Sequence, residues 1–172
     1  MSDPDLYRRL ARLEALAETL RTVDRRRPVA VLYRSDAGQS IPNTTTTIID
    51  FEDQVLDDDG LVTTGASWAF TTPLSGVYLV SASALFATTT AWALGERGLL
   101  LAYRNGALQR SFARIDSINS AVTSQLMHLY GTLLLTLVAG DTVDIRISQN
   151  TGGALALNTD SSFTYVSIVK VN

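Results

Sequence analysis

The sequence changes character once, at Pro28, and that change sets the architecture. Residues 1–27, MSDPDLYRRLARLEALAETLRTVDRRR, hold no glycine and a single proline, and their apolar side chains recur at helical spacing. Asp3 can cap the first turn, Pro4 suits the first helical position because the N–H it lacks would be unpaired there, and Asp5 favours the positive end of the helix dipole. Arg25, Arg26 and Arg27 stand where a helix C-terminus prefers cations, and Pro28 forbids continuation. One helix over residues 4–26 is expected.

Leu6, Leu13 and Leu20 repeat every seven residues, with Leu10 and Ala17 between them at the alternating spacing of a coiled-coil seam. Within the seam "RLARLE", Arg9 to Glu14, resembles a trimer-favouring pattern in which an arginine before one seam residue meets a glutamate of a neighbouring chain. Leu16 and Val23 broaden the stripe, as they would in a single amphipathic helix folded back on its own domain. With fewer than four heptads the helix is marginal alone, so a coiled coil here needs a second trimerising unit tethered to it.

After Pro28 short apolar runs alternate with Gly, Asn, Asp and Thr-rich turns, the signature of an antiparallel sandwich. Strands are expected near Val29 to Arg34, Thr46 to Ile49, Ser67 to Thr71, Gly76 to Phe86, Gly98 to Arg104, Ala107 to Ile115, Thr123 to Val138, Thr142 to Gln149 and Ser162 to Val171. Asn105-Gly106 in "YRNGALQR" supplies two residues that tolerate positive φ, which predicts a tight hairpin. A second tight turn is expected at Gly140-Asp141.

The order "PVAVLY", "IIDFED", "WAFTTPLSGVYLVSA", "LAYRNG", "LLLTLVAGDTVDIRI" and "SSFTYVSIV" resembles the jelly-roll head of the tumour necrosis factor and complement component one, subcomponent q superfamily. The likeness runs from Pro28 to Asn172 and is carried by Phe70, Pro73, Gly76 to Tyr78, Asn105-Gly106, Gly140-Asp141 and Phe163 in that order. It implies an all-β antiparallel jelly roll for residues 28–172, the head, and the helix and its heptad seam make residues 1–27 the expected trimeric stalk before it. It also implies that Tyr130 and Phe163, with His128 on the face of Tyr130, lie near a threefold axis. The chain departs from the pattern in lacking Cys, in carrying few aromatics and in having Tyr165 where the family often has Gly, so no ligand carries over.

Chemistry-bearing constellations are sparse. His128 is the single histidine, no nucleophile elbow or oxyanion motif accompanies it, and a packed or interface histidine is the expectation. The acidic run Asp50 to Gly60 has oxygen ligands of the kind calcium takes, but not the spacing of a calcium loop, and reads as a solvated loop. "TGGALALNTD" has Gly-Gly without a following helix and makes no phosphate cradle. Trp92, in a polar connection after a strand, is the candidate for stacking on a sugar or anchoring a partner, against burial on the roll or a neighbouring subunit. Trp68, in a strand, is expected in the core.

A net charge of −3 argues against nucleic acid as the main partner. No run of apolar residues is long enough to insert in a bilayer, and "MSDPDLYRRL" has no export signal, so cytoplasmic synthesis is expected. No enzyme and no cofactor is expected. The expected function is a homotrimeric structural protein on the exterior of a virion, as in phage head fibres, capsid decoration or receptor-binding tips. It would attach to a larger assembly through residues 1–27 and bind a host-surface glycan or protein through the head. The alternatives are a soluble cytokine-like ligand for a protein receptor and an adhesion module on a bacterial or spore surface.

Overall fold

The computed structural model describes residues 4–25, 29–87, 90–117 and 122–171, with the backbone alone for residues 4, 20–25, 90–92 and 122–125. A helix, α1, runs Pro4–Arg25. Among the described residues fifteen strands follow: β1 Ala30–Arg34, β2 Ser40–Ile41, β3 Thr47–Ile48, β4 Asp53–Leu56, β5 Val62–Thr63, β6 Ala69–Thr71, β7 Gly76–Leu85, β8 Thr90–Trp92, β9 Arg97–Arg104, β10 Ala107–Asp116, β11 Val122–Gln125, β12 His128–Leu137, β13 Thr142–Gln149, β14 Leu155–Ala156 and β15 Tyr165–Lys170. None of the described helical residues forms a span long and apolar enough to cross a membrane.

Two antiparallel sheets make the body, one in the order β12-β7-β15-β1-β4 and the other β10-β9-β13-β6-β5, with β3 also on β13. Their facing sides alternate apolar in and mixed out, the period a pleated strand imposes. Tyr78, Val80, Ala82, Val166 and Ile168 of the first sheet meet Leu100, Ala102, Val143, Ile145 and Ile147 of the second, all buried. At one side of this core Trp68 takes Phe51 edge-on at 5.2 Å and Tyr33 at 6.1 Å between ring centres.

Where the two sheets' edge strands β10 and β12 approach, only glycine fits. A Cβ on Gly131 would lie 2.6 Å from the Phe112 carbonyl oxygen. The hairpin between β9 and β10 turns on Asn105 and Gly106, at φ 51° and 75°, as its sequence predicts.

The roll has two unlike ends. At the near end, where the chain arrives from α1, the Lys170 N–H donates to the Val29 carbonyl at 2.9 Å and the Val171 N–H to Val77 at 2.8 Å. The Asn105-Gly106 hairpin and the turn after β12 close the same end, for Asn105 bonds to Asp141 and Thr142. The far end gathers Arg34, Leu85, Arg97, Asp116, His128 and Gln149, with the loops that join β2 to β3 and β13 to β14.

Several expectations need correction. The strand expected over Thr123 to Val138 is two strands, parted at Leu126 and Met127, because the chain changes partner there: Val122–Gln125 pairs with β8, and His128–Leu137 pairs with β7. Phe163 does not begin the closing strand; it ends a turn in which its N–H donates to Asp160, and β15 starts at Tyr165. The second tight turn centres on Ala139-Gly140, with Asp141 closing it by donating its N–H to Val138. The acidic run contains an edge strand, β4, and its Asp57 is buried.

Candidate functional site

The outer face of the first sheet is where the trimer residues expected in the head come together. His128 and Tyr130 stand two apart on β12, and Phe163 reaches the same place from the turn before β15. The His128 ring lies 5.2 Å from that of Tyr130 and 6.0 Å, edge-on, from that of Phe163. Ser83 of β7 locks the group. Its hydroxyl donates to the Phe163 carbonyl at 2.7 Å and so accepts from His128 Nε2–H at 2.8 Å, which assigns the proton to Nε2. Burial holds the His128 pKa below its ordinary value, so the ring is neutral at pH 7.

Beside this group the register lines up an apolar row across three strands, Leu134 to Leu79 to Val169. Leu134 is 63% exposed and Tyr130 67%. Leu79, Val169, Phe163 and Val171 are also exposed. Large apolar side chains gathered on one sheet face are unusual for a surface that stays in water. Leu79, Leu134 and Val169 escaped the sequence reading, although alternation from the buried Val80 and Ile168 puts Leu79 and Val169 on the outer face. Ser83 carried no sequence signal, because its role comes from a residue eighty positions away.

On α1, Leu6, Leu10 and Leu13 of the expected seam are more than half exposed, Ala17 is exposed as well, and Leu16 widens the same stripe. The side chain of Leu20 lies outside the described residues. So does that of Trp92, whose backbone pairs with Val122 between β8 and β11. Trp68 is in the core.

The acidic run spends its oxygens on the protein. Asp57 accepts from the Tyr33 hydroxyl at 2.9 Å and from the N–H groups of Leu61 and Val62, and Asp50 accepts from Gly65 N–H. Burial and the Asp57 carboxylate together push the Tyr33 phenol far above its usual range, so it stays a donor. Burial pushes the Glu52 pKa up, but the N–H groups of Asp36 and Ala37 outweigh it and hold the carboxyl below its ordinary value. Among the described residues no three His, Cys, Asp or Glu side chains gather as a metal site would require.

No protein-family model matches the sequence, and no curated protein matches it. Solved structures do. The chain is similar to Eiger TNF from S. frugiperda at 14% identity over 86% of this chain and 94% of that one, with a TM-score of 0.59. It is similar to murine APRIL at 16% identity over 84% and 100%, TM-score 0.56. It is similar to the globular domain of zebrafish complement 1qA protein at 18% identity over 82% and 94%, TM-score 0.52. With its two antiparallel sheets and single N-terminal helix, the chain is an all-β jelly roll of the fold shared by the tumour necrosis factor and complement 1q globular domains.

Proposed function

We propose that the protein is a non-enzymatic homotrimeric display module, whose heads associate through the outer face of the first sheet and whose helices associate through the Leu6, Leu10 and Leu13 seam. The observation that carries this reading is the exposed apolar row Leu134, Leu79 and Val169 beside Tyr130 and Phe163. A second copy is the occupant with matching chemistry, because α1 of the same chain carries its own open leucine seam. Two weak contacts joined in one chain reinforce each other through effective concentration. In the trimer Tyr130 and Phe163 face their symmetry mates near the axis, with His128 behind them.

Residues 1–27 carry seven Arg against five acids, whereas residues 28–172 carry seven Lys and Arg against twelve acids. The basic helix suits docking on an acidic protein surface, and the far end of the roll is left for recognition. A virion exterior is the larger assembly we assign, as a head fibre, capsid decoration or receptor-binding tip. The likeness to Eiger TNF and APRIL favours one other reading, a soluble ligand for a protein receptor, which shares the trimer and differs in what residues 1–27 do.

Sedimentation at micromolar concentration tests the trimer and should report three chains. Tyr130→Asp sets three like charges together at the axis, which costs several kcal/mol per buried ion. The side chain is exposed in a single chain, so the variant should fold and sediment as a monomer. A Tyr130→Asp protein that stays trimeric with an unaltered melting temperature places the interface elsewhere.

A further inference from the structure

At the far end of the second sheet a pocket of about 240 Å³ opens on the outer face, between β9, β13 and the segment joining β2 to β3. The register puts Leu99 of β9 beside Ser148 of β13. Arg97 and Asn150 are tied together one step further out, Asn150 N–H to the Arg97 carbonyl at 3.2 Å and Arg97 N–H to Asn150 Oδ1. Thr44 and Thr46 close the pocket from the third side.

The polar groups lining this hollow divide into some that are spent, Gln149 and Asn150 among them, and others that are not. Among the described residues, the hydroxyls of Thr44, Thr46 and Ser148 make no hydrogen bond within the protein, and the Arg97 guanidinium makes none either, although its charge acts on Asp116 across the β9–β10 pair. Gln149, by contrast, gives its amide to the carbonyls of Ile41 and Gly153 and takes two bonds from Thr151. Thr45, between the two pocket threonines, donates to Asn43. Asp116, opposite Arg97 in β10, has both oxygens on Arg114.

Thr44 itself sits at φ 57°, a left-handed conformation costly for a β-branched residue. It is held there by its N–H on the Gln149 carbonyl at 2.7 Å and by the Gly152 N–H on Asn43 Oδ1 at 3.1 Å. Backbone strain of this kind gathers at ligand-holding segments.

We propose that this pocket binds a single carboxylate-bearing sugar ring of hexuronate size. One guanidinium grips one carboxylate with two parallel bonds, the three hydroxyls exchange hydrogen bonds with ring hydroxyls, and half-buried Leu99 receives the apolar edge of the ring. A phosphate or a sulfated chain calls for several cations together, and the pocket lining holds one. Its volume falls below the roughly 300–1,000 Å³ of drug-sized sites and suits one sugar unit. The inference rests on the far end being the recognition end, as proposed above, and does not depend on trimer formation.

The experiment is a backbone-amide NMR titration of the full chain with methyl glucuronoside and, separately, its neutral counterpart methyl glucoside. Saturable shifts are expected at Arg97, Ser148 and Asn150, with a dissociation constant on the order of 1 mM and about tenfold weaker binding of the neutral sugar. Arg97→Gln, at an exposed position, should keep the melting temperature and erase the preference for the acid. Ser148→Ala should weaken both sugars alike. Equal binding of the two sugars, shifts confined to other residues, or an Arg97→Gln protein that still prefers the acid would each overturn the proposal. Sedimentation of the same samples separates the two readings: a trimer without the acid preference removes the sugar site alone, and a monomer with it removes the trimer alone.

Discussion

Asp57 carries more structure than its place in an acidic run suggests. Three donors converge on it, the Tyr33 hydroxyl and the N–H groups of Leu61 and Val62. Asp57→Ala strands them in a buried setting, and the expected loss is about 3 kcal/mol or more by chemical denaturation, whereas exposed Asp58→Ala should change stability by less than about 0.5 kcal/mol. Asp141 offers a pH test. Val138 N–H at 2.8 Å and then Asn105 Nδ2 at 2.7 Å hold its pKa below the ordinary carboxylate value. A depressed folded-state pKa stabilises fully above the unfolded value, about 3.9, and that stabilisation disappears as pH falls through the folded one. Melting temperatures measured from neutral pH downward should therefore show Asp141→Asn below the parent at neutrality and converging with it in acid. A constant gap at all pH values would show that the carboxylate's charge contributes nothing. The local N–H partners lie within five residues, but Tyr33 and Asn105, 24 and 36 positions away, were not legible beforehand, because only the folded sheets bring them to Asp57 and Asp141.

At the scale of elements, what the sequence disclosed was whatever repeats. α1 was visible because seven-residue spacing and a terminal proline leave few alternatives, and long strands such as β7 and β13 were visible through alternation. Two-residue strands such as β2, β5 and β14 have no period to detect, and β4 was hidden by the acids that keep an edge strand soluble. The interruption at Leu126 and Met127 was invisible because both residues are apolar and fit an unbroken strand equally well. The seam between β10 and β12 yields a sharper prediction. Gly131→Ala forces its Cβ against the Phe112 backbone, which cannot swing aside as a side chain would, so a loss of about 1–3 kcal/mol is expected in thermal or chemical denaturation. Removing α1 should act differently. A chain lacking residues 1–27 should keep its head folded and its melting temperature within a few degrees, while the affinity of the proposed trimer falls by about 10²- to 10⁴-fold and incorporation into the proposed virion stops. Normal incorporation would mean that the roll itself does the attaching.

Over the whole molecule, the two ends of the roll divide what the chain can do. The apolar outer face of the first sheet runs along the body, the acid-sugar pocket opens at the far end, and α1 enters at the near end. The jelly-roll class was readable from Gly76 to Tyr78, Asn105-Gly106 and the closing aromatic strand, since those turns and strands occur in an order few folds share. The pocket was not, because Thr44, Arg97 and Ser148 meet only after β3, β9 and β13 have paired. One arrangement at the near end has a practical side. Val29 and Val171 flank the same pair of strands, with Lys170 bonded to Val29. A fluorescent tag or catalytic cargo genetically joined behind residue 171 would thus ride on the same side as the helix, leaving the opposite pole bare for presentation on a bead, a scaffold or a cell.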